Sequence, residues 1–162
     1  MFNKIKYVFA LFLLAGLYYS CVKKTTYLLT PEIEYKSFTY LPIPSAPDSA
    51  MMVITYKDGD GDIGKEADDQ TYNLYMNYYY KDTVTQKYVA YYSLATDSLK
   101  TGYTIRRPDV SYKGKPISGE VAVGISKCRH SKKYKLIKYV IYMYDNAGNK
   151  SNVITTPELS VP

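Results

Sequence analysis

The chain has 162 residues with 21 basic and 15 acidic side chains, a net charge of +6, and 21 tyrosines against four phenylalanines and no tryptophan. That length suits one domain with a real core. The positive balance is mild, so it gives no ground for a nucleic-acid partner.

The N-terminal stretch MFNKIKYVFALFLLAGLYYSC opens with Lys4 and Lys6 and runs uncharged and apolar from Val8 to Leu17. A helix needs about 20 apolar residues to cross a bilayer, and this run is much shorter. Its layout predicts a cleaved signal over residues 1–20 in place of a retained anchor. The run ends in Leu17-Tyr18-Tyr19-Ser20-Cys21, which resembles a lipobox: an aliphatic residue, a small residue before the cut, then cysteine. A small Ser20 lets a peptidase approach the Ser20–Cys21 bond. The resemblance implies cleavage before Cys21, a diacylglycerol on its thiol and another chain on the freed amine. Several acyl chains anchor a protein stably where one binds only marginally. Tyr18 and Tyr19 depart from the commonest lipobox, which carries smaller residues there. The plainer alternative is a secretory signal followed by a chance cysteine. Cleavage removes two lysines and no acid, leaving 142 residues of net charge +4.

Residues 21–30 read as the lipidated cysteine and a tether, with Lys23 and Lys24 placed either to touch anionic head groups or simply to be solvated. Residues 31–162 read as strands punctuated by turns. The spacing predicts strands at Ile33–Tyr40, Met51–Lys57, Tyr72–Tyr80, Lys87–Ser93, Tyr103–Arg107, Gly119–Ser126, Leu136–Tyr144 and Asn152–Thr155. Leu41 to Pro47 is expected to be a stiff, extended connector. Tyr72, Leu74, Met76, Tyr78 and Tyr80 alternate with Asn73, Tyr75, Asn77 and Tyr79, which predicts opposite faces of one strand. Val121, Val123 and Ile125 form a second inward set, and Tyr139, Ile141 and Met143 a third. Lys81 to Gln86 reads as a hairpin loop. Tyrosine suits half-buried strand positions, and helical periodicity is lacking outside the signal. The expectation is therefore all-β: a single immunoglobulin-like β-sandwich of about seven to eight strands.

The most distinctive internal segment is Asp58-Gly59-Asp60-Gly61-Asp62-Ile63-Gly64. Carboxylates at alternate positions, separated by glycines, can converge on a hard cation such as calcium, which takes six to eight oxygens. The register does not fit an EF-hand, since Ile63 stands where glycine is needed at the sixth position and Asp69 where glutamate is needed at the twelfth. The plainer reading is a solvated turn whose aspartates cap local amides. Asp145-Asn146-Ala147-Gly148-Asn149 reads as a tight hairpin turn whose Asp-Asn and Gly-Asn pairs supply positive-φ positions. A sandwich could bring it beside the first loop, making Asp145 a fourth carboxylate.

With a lipobox, DGDGDIG near the start and a closing YDNAGNKSNVITTPEL, the chain resembles a widespread group of Bacteroidota lipoproteins. Their pattern is a lipobox, DGDGDIG, and a D-x-AGN-x-S-N turn followed by threonine and proline. The likeness spans the mature domain and implies an immunoglobulin-like envelope lipoprotein on the outer membrane, mostly without assigned activity. Some such lipoproteins carry an acidic cluster after the cysteine that directs them to the cell surface. Its lack here favours the periplasmic face. Asp48-Ser49-Ala50, Asp82-Thr83-Val84 and Asp97-Ser98-Leu99 are similar to the O-glycosylation site of exported Bacteroidota proteins, marking Ser49, Thr83 and Ser98.

The remaining motifs carry less chemistry. Lys127 to Lys135 concentrates positive charge, either for anionic lipid, lipopolysaccharide phosphate or an acidic partner, or as a solvated tip that discourages edge pairing. With Cys21 lipidated, Cys128 lacks a disulfide partner and reads as a small buried hydrophobe. His130 is the only histidine, and its basic neighbours disfavour its charged form. Neither a nucleophile elbow nor a phosphate loop is present, and nothing singles out a carboxylate pair for glycoside hydrolysis. The expectation is a non-catalytic structural or interaction module, accessory to an outer-membrane assembly, with membrane lipid at Cys21 and an envelope protein as partners. A glycan-binding role through exposed tyrosines is the alternative, and a hydrolase a third.

Overall fold

A computed structural model describes residues 26–91, 100–107 and 112–162. The signal segment, Cys21 and the O-glycosylation candidate Ser98 lie outside the described residues. Nine strands are described: β1 Glu32–Tyr40, β2 Ala50–Asp58, β3 Leu74–Lys81, β4 Tyr88–Ala90, β5 Lys100–Tyr103, β6 Ile117–Ile125, β7 Leu136–Met143, β8 Ile154–Thr155 and β9 Leu159–Ser160. They form two antiparallel sheets, one ordered β1-β2-β6 and one built on β3 and β7. β4 and β5 both pair with β3, and β8 and β9 both pair with β7. Each of these short pairs acts as one interrupted edge strand. The result is a seven-column immunoglobulin-like sandwich in which the chain crosses between sheets after β2, β5 and β6.

Period-two patterning drives the two sheets together. Met52 and Ile54 from the smaller sheet, with Leu74, Met76, Ile137, Ile141 and Met143 from the larger, are at most 1% exposed. β1 keeps its apolar residues inward by a β-bulge. Tyr35 pairs with Ile54 and Ser37 with Val53, so Lys36 is extra. The inserted residue turns Ile33 and Tyr35, then Phe38 and Tyr40, toward the same core despite their odd spacing.

Four expectations need correction. Leu41 to Pro47 is a tight reversal, not an extended connector: Ile43 and Ala46 exchange backbone bonds so that Tyr40 can pair with Ala50. The predicted strand Tyr103–Arg107 ends at Tyr103, after which Ile105 and Arg107 pair with Lys65. Asn73 is not on the outer face. It is 1% exposed, and its amide exchanges hydrogen bonds with the Ile105 backbone at 2.7 and 3.4 Å, acting as one more rung of the ladder. Leu159 and Ser160 form a strand that periodicity missed, because Pro157 lacks the N–H that would join it to β8.

Candidate metal centre

Strand phase puts the first carboxylate inside. Ala50, Met52, Ile54 and Tyr56 point to the core, and Asp58 continues that series two residues on. Asp58 is fully buried, at 0% exposure. The loop beyond is not the solvated turn of the plainer reading, since Ile63 and Gly64 are buried as well. Its Ile63 N–H returns to Asp58 Oδ2 at 3.2 Å.

Each glycine of DGDGDIG admits a different segment of backbone. A Cβ on Gly59 would stand 2.6 Å from the Leu28 carbonyl and 2.7 Å from that of Tyr27. At Gly61 it would lie 2.2 Å from the Tyr112 carbonyl, and at Gly64 2.7 Å from the Arg107 backbone. Gly61 and Gly64 also have φ of 64° and 91°, which side-chain-bearing residues rarely adopt. The motif is thus a junction on which the tether, the 112–115 turn and the 105–107 segment all rest.

The closing turn docks on the same junction. Asn146 Nδ2 donates to the Asp62 and Gly64 carbonyls at 2.7 and 2.8 Å, and Ala147 N–H donates to Asp62 Oδ2 at 2.9 Å. Asn149 donates from its backbone to Asp145 Oδ1 at 2.7 Å and from its side chain to Oδ2 at 2.8 Å. Only Gly148 in this turn has positive φ, so the expectation for the Asp-Asn and Gly-Asn pairs holds at one residue. The rest of the closing motif is strand-mimicking chemistry. Ser151 Oγ accepts from the Met143 N–H, and Thr156 Oγ1 accepts from that of Tyr139, both at 3.0 Å. The Asn152 amide clasps Ile33 in the other sheet. The sequence marks Asn146 and Asn149 only as turn residues and Ser151 and Asn152 only as part of the closing motif; their side-chain bonds to Asp62, Gly64, Asp145, Met143 and Ile33 come from the fold.

One oxygen from each of Asp58, Asp62 and Asp145 lies within 4.8 Å of the others. Asp60, the fourth candidate, is outside this group, but its charge reaches both Asp58 and Asp62. Oδ1 of Asp58, of Asp60 and of Asp62 is buried without a hydrogen-bond partner among the described residues. Burial first, then the charges of Asp145, Asp60 and Asp58, pushes the Asp62 carboxyl up to about 6 against the Ala147 N–H. Burial also raises Asp58, with Asp60 and Asp145 adding to it and backbone donors opposing it. At this spacing and an effective dielectric of about 20, two unit charges repel by on the order of 3 kcal/mol. An all-oxygen donor set without cysteine or histidine suits a hard cation.

The other candidates lie elsewhere. Ser49 is half-buried and its hydroxyl donates to the Leu41 carbonyl. Thr83 is exposed at the β3–β4 tip, where Asp82 caps the turn through the N–H groups of Val84 and Thr85. The 127–135 segment is not merely a solvated tip. Cys128 is fully buried, Arg129 pairs with Asp48 at 2.7 Å, and the His130 ring lies 4.7 Å from that of Tyr78 and 5.1 Å from that of Tyr91. Burial, then Asp48, pushes the Cys128 thiol up to about 11, so it is not a thiolate at neutral pH. On the outer face, Tyr75 stacks on Tyr142 at 5.3 Å, and Tyr144 meets both edge-on. Compared with protein-family models, with curated proteins and with solved structures, the chain finds no match in any of the three.

Proposed function

We propose that the protein is a lipid-anchored, non-catalytic interaction module of the cell envelope, accessory to an outer-membrane assembly and facing the periplasm. The observation that carries this reading is the seat of the tether: the Tyr27 and Leu28 carbonyls lie on Gly59, at the acidic end of the sandwich. Tyr27 is six residues beyond Cys21. An extended chain advances at most about 3.5 Å per residue, so acyl chains on Cys21 hold that end within about 20 Å of the membrane surface. The anchor thus keeps the acidic end of the domain close to the bilayer. Mass spectrometry of membrane-extracted protein should find the chain beginning at an acylated Cys21, and Cys21→Ala should leave the membrane fraction. A retained N-terminus or an unmodified Cys21 would overturn the anchor. If crosslinking in intact envelopes joins the anchored protein to nothing, the accessory role fails.

Glycan binding has one observation of its own. A cleft of about 290 Å³ is lined by Tyr56, Tyr112, Pro116, Ile117 and Ser118, an aromatic and hydroxyl mixture suited to one sugar ring. The outward tyrosines support it less, because their rings stack on one another. A thermal shift with oligosaccharides that Tyr112→Ala abolishes would favour this role over the first.

A further inference from the structure

We infer that Asp58, Asp62 and Asp145 bind one hard divalent cation, calcium, which clamps the two sheets together at the tether end of the sandwich. Asp58 and Asp62 belong to the end of β2 and the loop after it, in the smaller sheet, whereas Asp145 follows β7 in the larger one. Calcium binds oxygen at about 2.3–2.6 Å, so two of its ligands stand at most about 5 Å apart. The mutual spacing of these carboxylate oxygens, within 4.8 Å, is the spacing of ligands around one such ion. Magnesium, at about 2.0–2.1 Å and with strict octahedral demands, fits this span less well.

A second observation separates this cluster from an ordinary acidic patch. Asp58 has no exposed surface, yet its Oδ1 lacks a hydrogen-bond partner among the described residues. A buried carboxylate oxygen without a donor is costly unless a cation or a proton meets it. Asp62 Oδ1 and Asp60 Oδ1 are in the same position. The donors that do reach the cluster, from Ile63, Ala147 and Asn149, occupy the other Asp58 and Asp62 oxygens and orient Asp145. They hold the ligands in place as an outer shell does around a metal. Carboxylate oxygens have more than one lone pair, so Asp145 can still ligate. Asp60, outside the group, reaches the ion through water, and the glycines leave room for the loop to fold this tightly.

The site stands whether or not Cys21 is acylated. The test uses the full chain, extracted in mild detergent and stripped with a chelator. Calcium should raise its melting temperature by several degrees, in proportion to the logarithm of ion concentration above the dissociation constant. Terbium should give tyrosine-sensitised luminescence that calcium displaces at a concentration at least tenfold lower than magnesium does. Asp62→Asn, which keeps an acceptor for Ala147, should weaken terbium binding at least tenfold, as should Asp145→Asn. Asp68→Asn, on an exposed residue of the same loop, should leave it unchanged. Should either variant fail to fold by circular dichroism, the other serves. A folded wild-type protein with neither luminescence nor a calcium-dependent melting temperature overturns the inference. So does a folded Asp62→Asn protein that binds as wild type does.

Discussion

At the Asp58 end of the sandwich the chain buries carboxylates; at the Ala50 end it buries rings and a thiol. Both ends must close the gap between two sheets where the strands run out. The Ala50 end does so with apolar volume: Tyr78 packs edge-on against Tyr91 and Tyr139, His130 fills the space beside them, and Cys128 has no exposed surface. The Asp58 end uses hydrogen bonds and converging charge, with Asn146 and Ala147 tying the closing turn to the DGDGDIG loop and Asn149 holding Asp145 within that turn. Ring packing needs nothing from solution, while converging carboxylates repel unless an ion joins them. One end is therefore a self-sufficient plug, and the other is a socket.

Breaking the plug should cost most. Tyr78→Ala removes a side chain that is 2% exposed and in contact with three rings, so a loss of about 3–5 kcal/mol is expected in urea unfolding. A loss below about 1 kcal/mol would show that the cluster is not the packing unit. At the socket, Gly61→Ala meets both a φ of 64° and the Tyr112 carbonyl. It should cost on the order of 2–3 kcal/mol, and a neutral result would mean that the 112–115 turn is free to move away. Ser151→Ala leaves the Met143 N–H without its hydroxyl partner, for about 1–3 kcal/mol by the same measurement. A strand pairing held without the serine would leave stability unchanged.

The plug should also respond to acid. Burial, then Lys127, lowers the His130 pKa from its ordinary 6.5. A depressed base contributes stability above the unfolded-state pKa and loses it as pH falls through the folded one. The raised Asp62 and Asp58 carboxyls act in the opposite sense in chelator-treated protein, so the histidine is read by difference: as pH drops below about 6.5, wild type should lose melting temperature relative to His130→Gln. An equal slope in the two proteins would place the acid response elsewhere. The smallest effect is expected from Tyr139→Phe. Its hydroxyl is buried without a partner among the described residues, so removal should leave stability within about 1 kcal/mol of wild type or raise it.

Much of this was legible in the residues themselves. The alternation of Leu74, Met76, Tyr78 and Tyr80, of Val121, Val123 and Ile125, and of Tyr139, Ile141 and Met143 marks inward faces, and all ten side chains pack in the core or against it, whereas Tyr72, placed on the first of these faces, precedes β3 and is exposed. Period two is a local property, so it survives without knowledge of partners. The errors fall where a distant partner decides. Asn73 alternates as an outward residue, yet Ile105 draws its amide inside. The 127–135 segment is rich in charge, and although Cys128 is buried as expected, its histidine is drawn into the tyrosine cluster against the reading of a solvated tip.

The acidic end shows the same division. By itself, the chain determines four aspartates and the glycine-rich turns that present them, while the inward phase of Asp58 follows only once β2 is seen to run on to it. Only the tertiary structure decides that Asp58, Asp62 and Asp145 share one point while Asp60 stands beside it, since 82 residues lie between Asp62 and Asp145. Only the fold, likewise, shows why the glycines are there. Each has no Cβ because another part of the backbone occupies the space, and steric exclusion between segments far apart in the chain leaves no trace in local pattern.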